Sequence, residues 1–562
     1  MTLTAFRPIV NETPVVYAAS TQQISGSAPA ALTAVAAAAA LAACGGGNQL
    51  GTTEPAGPPT PGQAAVFLAQ AGFGGNMADV EEVVQLGFEG WLNQQVNTPP
   101  TASSVDYANR MGFESGQTRY WPSIVWNKFI ASPDQLRQRM VQVWSQVFVV
   151  SIAGFADFRS HFMLAHFQDV LERHALGNFR NLLQDVTLSP AMGMYLNMHG
   201  NTKAQGERQP DENYAREVMQ LFTIGLDQLN PDGSVVMDSL GEPVPAYTEE
   251  DIKGLAAVFT GWRTSSYSST PIPGLGNYVT PAVRSMGFTA ANHTTAAKTF
   301  LGVTIPANTS GPNSLKVALD TLFNHPNTGP FIAIRLIQRL VTSNPVPAYV
   351  ERVARIFADN GEGIRGDLAA VVKAIVLDPE ARGQSVQPLA HRGKLREPIL
   401  RFLQWCRIFN VKSRSNNWMN AGSTGSDTAL GQMPLEAPSV FNFYTYNFTP
   451  ANTDLSRAGL VGPEFNLVNE PNVVGYLNFM IKNISNQTEF KPDHTPYESL
   501  ASDPQALVFQ LDLLLTGNRL SASTLDTITQ AVSSVPVETP TQRVQLATML
   551  IMASTDYLVQ TT

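Results

Sequence analysis

The chain has 562 residues, 44% of them hydrophobic and 14% charged, with a formal net charge of −9. That length and apolar content suffice for a large buried core and for one to four domains. The acidic balance, with no cluster of Lys and Arg anywhere in the sequence, speaks against nucleic acid as a partner, because phosphate backbones are bound by grouped cations.

Residues 1–43 read as a leader. The stretch from Ala30 to Ala43 is apolar, small and uncharged, the length of a signal-peptide core and too short to cross a bilayer as a helix. Leu41-Ala42-Ala43-Cys44 resembles a bacterial lipobox, in which cleavage falls before the cysteine and its thiol is acylated. Residues 44–62, rich in Gly, Pro and Thr, then form a flexible tether. Arg7 is the only basic residue before Cys44, whereas signal peptides carry more positive charge closer to the apolar run; the alternative is an Ala-rich leader that happens to end in Cys. The lipobox reading puts the protein in the cell envelope, periplasmic or outer-membrane-anchored, held to the membrane through Cys44. It also leaves Cys406, the second of two cysteines, without a disulfide partner. The apolar context LRFLQWCRIFN makes Cys406 a buried, inert thiol.

The folded region starts near Gln63 and runs to residue 562. AAVFLAQAGFG and ADVEEVVQLGFEGWLNQQV are predicted helices separated by Gly72, Gly74 and Gly75. Ser132-Pro133-Asp134-Gln135 has the pattern of a capping box opening the helix LRQRMVQVWSQVFVV, and FRSHFMLAHFQDVLERHAL gives another that stops at Gly177. PDENYAREVMQLFTIGL, Pro210 to Leu226, reads as a short amphipathic helix capped by Asp211. Ala215, Val218, Met219, Phe222 and Leu226 share one face; Asn213, Arg216, Glu217 and Gln220 share the other.

A polar insertion follows from Asn230 to Pro245, then a second capping box, Thr248 to Asp251. The helix it opens carries Ile252, Leu255, Ala256 and Phe259 at helical spacing and ends at Thr260-Gly261-Trp262. Residues 263–292 lack periodicity and read as a long ordered loop or short hairpin. Four more helical stretches lie between residues 314 and 378, including the stripe Val350, Val353, Ala354 and Phe357. Residues 413–472 are again irregular, and helices close the chain. With few segments of period two and no fixed repeat, the expected fold is mainly α. It is a multi-helix orthogonal array with long irregular loops, in one large domain or two closely packed helical subdomains divided near 263–300.

Several of these blocks resemble the bacterial domain-of-unknown-function family numbered 1800: FLAQAGFG, GNFRNLLQDVTLSPAMGMYL, PDENYAREVMQLFTIGL, YTEEDIKGLAAVFTGW, HPNTGPFIAIRLIQRLVTSNP, GDLAAVVKAIVLDPEAR and APSVFNFY, in that order. The resemblance implies an exported, mainly helical protein of uncharacterised activity. It also implies a possible exported partner, since members are often encoded beside the family numbered 1501, which looks like an alkaline-phosphatase or sulfatase relative. One departure stands out. The family usually has His-Asp-x-Gly-x-Lys, whereas here His293 is followed by Thr294-Thr295-Ala296-Ala297-Lys298, so a carboxylate that could orient the imidazole or bind a metal is missing.

The candidate chemistry rests on few residues. Arg216 could clamp a carboxylate, phosphate or sulfate, with Glu217 as acid or base and Asn213 as orienter; the same pair could equally tie the helix to its neighbours. His293 and Lys298 follow the irregular region, where the imidazole is either a base or ligand, or a capping and packing residue. His199 lies on a loop just before the signature block and could reach it. His161 and His166 are five apart on one predicted helix, a poor metal pair, and no metal site or cofactor motif is read. Gly361 to Gly366 fits G-x-G-x-x-G formally but follows a helix, so the glycines end one helix and begin the next. Trp262 and the 441–444 loop are the aromatic groups available to line a carbohydrate groove.

Two functions remain open. One is a non-catalytic lipoprotein, a binding or assembly factor at the envelope, which requires an exposed apolar patch or groove. The other is a hydrolase-type envelope enzyme or enzyme subunit acting on an anionic or polymeric substrate. Its site would form where the signature helix, the Thr260–Trp262 helix end and the His293 loop converge, with Arg216, Glu217 and His293 in it.

Overall fold

Helices account for most of the ordered backbone in the computed structural model, which describes residues 57–562 except 114–119, 156, 158, 385, 389–390 and 562. Strands among the described residues are two or three residues long, in four separate antiparallel pairs. The fold is therefore mainly α. Cys44 and the leader lie outside the described residues.

Local chemistry explains where helices start. Thr60 and Gln63 cap the Pro61–Ala71 helix reciprocally, and Asn76 with Asp79 does the same for Met77–Asn97. The expected box at Thr248 is present: its hydroxyl accepts the Asp251 amide at 3.3 Å while the Asp251 carboxylate accepts the Thr248 amide at 2.8 Å. The expected box at Ser132 is not. The Gln135–Val147 helix begins after Asp134, which makes no cap; its carboxylate takes the Gln138 amide at 3.2 Å instead, and Ser132 turns to the Thr101 hydroxyl.

The core is built around helices buried on nearly every side. Gln135–Val147 and Ser160–His174 pack on each other, and Thr328–Leu340 packs on the first of them. A helix polar at many positions can be buried all round only if those groups find partners. Lys128 and Glu172, both in the interior, pair at 2.7 Å, with Gln138 donating a second bond to the carboxylate at 3.0 Å. Burial pushes the Glu172 carboxyl up, Lys128 opposes this, and the balance lies at about 6. The stripe Val350, Val353, Ala354 and Phe357 faces inward as the periodicity predicts.

The described residues belong to one compact unit. Its far end is fastened to its middle by the pairing of Val559–Gln560 with Lys394–Leu395. Gln560 also donates to the Leu340 and Val341 carbonyls, and Gly393 lies so close beneath that a Cβ there would sit 2.1 Å from the Gln560 carbonyl oxygen. The 263–292 stretch returns on itself as a hairpin base, Trp262–Arg263 against Gly287–Phe288, and its turn Thr280–Val283 packs on Ser160–His174. The Asn230–Pro245 insertion is a meander held by isolated antiparallel bridges, including Leu229 to Val235 and Met237 to Pro243. Gly361–Gly366 links two helices, and Asp367 caps the second by accepting the Ala369 and Ala370 amides. No described helix is long and apolar enough to cross a membrane.

Candidate functional site

The signature helix is shorter than its periodicity suggests. It spans Asn213–Gln220, and its expected cap lies one residue early: Asp211 accepts the Asn213 amide at 2.9 Å in a turn before the helix, leaving Glu212 at the cap position without a side-chain bond. Ala215, Val218, Met219 and Phe222 are fully buried. Leu226 is 50% exposed because the chain leaves the helix through Gly225 at φ +75°, where the amides of Ile224 and Gly225 both bond the Met219 carbonyl.

On the polar face the residues part company. Arg216 is at the surface and forks onto Glu249, with both bonds at 3.2 Å and Glu212 at 3.5 Å. Glu217 is buried, its carboxyl raised by desolvation with only the neighbouring Arg216 charge pulling it back, and its Oε2 has no hydrogen-bond partner among the described residues. Asn213 is half-buried at the start of the helix.

His293 is buried. Its Nδ1 lies 2.9 Å from the Thr260 carbonyl and 3.0 Å from the Thr260 hydroxyl, and its Nε2 has no partner among the described residues. Burial lowers its pKa; the Thr260 backbone opposes and Lys298 reinforces the shift. Thr294 donates its amide to the same Thr260 hydroxyl at 3.2 Å, so the histidine loop is pinned to the end of the Glu249–Val258 helix. Lys298 is buried with its ammonium 3.4 Å from the Ala296 carbonyl, and desolvation lowers its pKa. Trp262 is buried with its ring tilted against Phe288. Between them Gly261, at φ +87°, allows the crossing: a Cβ there would meet the Thr289 carbonyl oxygen at 2.9 Å and His293 Cβ at 3.2 Å.

The loop that precedes the signature helix meets the Thr260–Trp262 helix end and the 289–292 segment through backbone bonds of 2.8 Å each. Gly200 donates to Trp262, Gly261 to Asn201, Lys203 to Asn292 and Thr289 to Gly261. Beside this junction lies a cleft of about 500 Å³. Phe155 and Met194 contribute apolar surface; Asp157, His199, Arg208 and Asp211 contribute polar groups, with Asn197 at an exposed position on the rim. Arg216, Glu217 and His293 are absent from this lining. Asp157 is gripped by Arg159 through Nε at 2.9 Å and Nη2 at 2.7 Å, which overcomes burial and holds its carboxyl below the usual range. The His199 pKa is lowered, first by burial and then by Arg263 and Arg159, against support from the Thr264 backbone and Asp157.

The loop 201–211 borders the cleft as a closed ring. The Asn201 side chain donates to the Asp211 carbonyl at 3.1 Å and accepts the Asp211 amide at 2.9 Å, sealing the neck. Gln205 and Arg208 exchange backbone bonds of 3.0 and 3.1 Å at the tip. Among the described residues the Arg208 guanidinium has no ion-pair or hydrogen-bond partner, and no group of three His, Cys, Asp or Glu is placed to hold a metal.

Of the cleft residues, the sequence singled out His199 as a loop histidine near the signature block, and Asp211 only as a cap. Phe155, Asp157 and Arg208 carried no periodic signal; the polar run NTKAQGERQPD between two helices was the available hint. Comparison with curated proteins and with solved structures gives no match. The family described as "Protein of unknown function (DUF1800)" matches residues 66–559, which spans the array, the junction and the cleft, and the chain belongs to that family.

Proposed function

We propose that this chain is an exported, lipid-anchored binding or assembly factor of the bacterial envelope, tethered through Cys44, which holds part of its ligand in the cleft beside the signature junction. The observation that carries the reading is that cleft itself: a mainly polar lining in which Phe155 and Met194 supply the apolar surface, in a volume typical of ligand sites. The signature residues support binding over proton transfer. Arg216 is committed to Glu249, and Glu217 and His293 each face inward with no hydrogen bond joining them.

An exposed apolar stripe also supports an assembly role. Val473, Val474 and Ile481 share the outer face of the Glu470–Ile484 helix and are 47–57% exposed. The membrane at Cys44 and an exported protein of the family numbered 1501 are the partners this reading favours. A second reading, a hydrolase-type enzyme or subunit, draws on His199 alone, since a neutral imidazole in an open cleft can accept a proton.

Two measurements test the proposal. Radiolabelled palmitate should mark the wild type and not Cys44→Ser; an unlabelled wild type recovered from the cytosol overturns the anchor. Solubilised envelope material should raise the thermal midpoint of the wild type and not of His199→Ala. Equal shifts, or none, overturn the cleft as the binding site.

A further inference from the structure

We infer that the ligand of this cleft carries an acidic group set apart from neighbouring hydroxyls, as in an acidic sugar, with Arg208 holding the acid and Asp157, Asn197 and Asp211 receiving the hydroxyls. The inference rests on the cleft being the binding site proposed above.

Arg208 is the starting point. It stands on a loop closed at the neck by Asn201 and at the tip by its own backbone pair with Gln205, so its Cα position is set before any ligand arrives. Arg208 is one of the residues lining the cleft, and its guanidinium has no partner among the described residues. Two other arginines of this region are engaged: Arg159 grips Asp157 and bonds the Ser265 and Tyr278 carbonyls, and Arg216 forks onto Glu249. A planar fork left open at the edge of a cleft matches a carboxylate or a phosphate.

The rest of the lining says what the acid must be attached to. Asp157 and Asp211 are both acceptors on the same surface, so an anion whose charge spreads across the cleft is repelled. The ligand must present hydrogen-bond donors there. Asp157 already has its charge matched by Arg159, whose backbone amide and guanidinium fill three of its acceptor sites, so the one left suits a neutral hydroxyl better than a second cation. Asp211 has one carboxylate oxygen occupied by the Asn213 amide and the other open. Phe155 and Met194 offer the apolar surface on which the C–H face of a sugar ring rests.

The shared chemistry, an acid beside several hydroxyls, is found in uronic acids and in sugar phosphates, and titration calorimetry on the full chain separates them. Glucuronate and glucose 6-phosphate are the probes, with glucose, succinate and alanine as controls. At least one acidic sugar should bind ten-fold or more tightly than glucose, succinate or alanine. Arg208→Gln should weaken it at least ten-fold while leaving the thermal midpoint of the free protein in place, because that guanidinium has no partner to lose among the described residues. Glucuronate binding alone assigns a carboxylate; glucose 6-phosphate alone assigns a phosphate. Glucose, succinate or alanine binding as tightly as the acidic sugars overturns the inference, as does an Arg208→Gln protein that binds like the wild type. Should no probe bind while envelope material still stabilises the protein through His199, the cleft stands and the acidic sugar falls; should neither act, the cleft falls first.

Discussion

His161 offers the sharpest test of how this interior is solvated. The ring is fully buried on the Ser160–His174 helix, between Phe162 at 4.5 Å and Tyr120 at 6.1 Å, and neither nitrogen has a hydrogen-bond partner among the described residues. Burial drops its pKa from 6.5 to about 4. A histidine depressed in the folded state takes up its proton more readily when unfolded, so stability is fully present above pH 6.5 and is lost as pH falls toward 4. Between pH 7 and pH 5 this one residue should cost about 2 kcal/mol, from the linkage of those two pKa values. Urea unfolding at both pH values, for the wild type and for His161→Leu, isolates the effect: the variant should lose about 2 kcal/mol less than the wild type over that range. An identical loss in both proteins, or an imidazole NMR resonance for His161 that titrates near 6.5, refutes the reasoning.

Three further outcomes are expected. Lys128→Met should destabilise by about 3–5 kcal/mol, since the buried Glu172 carboxyl would lose its only cation among the described residues, and Lys128→Met with Glu172→Leu should recover much of that; denaturant midpoints of the single and double variants decide it. Gly261→Ala should cost about 2–3 kcal/mol from its left-handed backbone and the approach of the Thr289 carbonyl, read as a fall in thermal midpoint. Glu217→Gln should raise stability at pH 7: desolvation raises the folded pKa of the carboxyl, so the wild type loses stability as pH rises through that value and the amide does not, read as a higher thermal midpoint. A pH-independent difference between the two would show that the carboxyl is not desolvated.

Periodicity carried much of the architecture. The buried stripes at Ile252, Leu255, Ala256 and Phe259 and at Val350 to Phe357 depend only on 3.6-residue spacing, which any window of sequence displays. Boundaries were less legible, because they are decided by competition. Asp134 has the residue type of a cap but is drawn to Gln138, and the signature pattern continues through Leu226 although Gly225 has already turned the chain. The meeting of the Thr260–Trp262 helix end with the segment before His293 was readable; that the 200–203 loop and not the signature helix supplies the third partner was not. Arg216 and Glu217 share a helix face in projection, yet one reaches solvent and Glu249 while the other is sealed. The cleft draws on two loops whose residues lie some forty to fifty positions apart, and only the folded backbone brings Phe155 and Asp157 to Arg208.

The pairing of Val559–Gln560 with Lys394–Leu395 has a consequence for biogenesis. The edge at 394–395 and the carbonyls of Leu340 and Val341 wait for residues some 165 to 220 positions downstream, so they stay without these partners until Gln560 has emerged from the ribosome. A nascent chain that lacks residues 559–560 therefore leaves this seam without its partner strand. The seam closes late, after the residues that bracket it have been made.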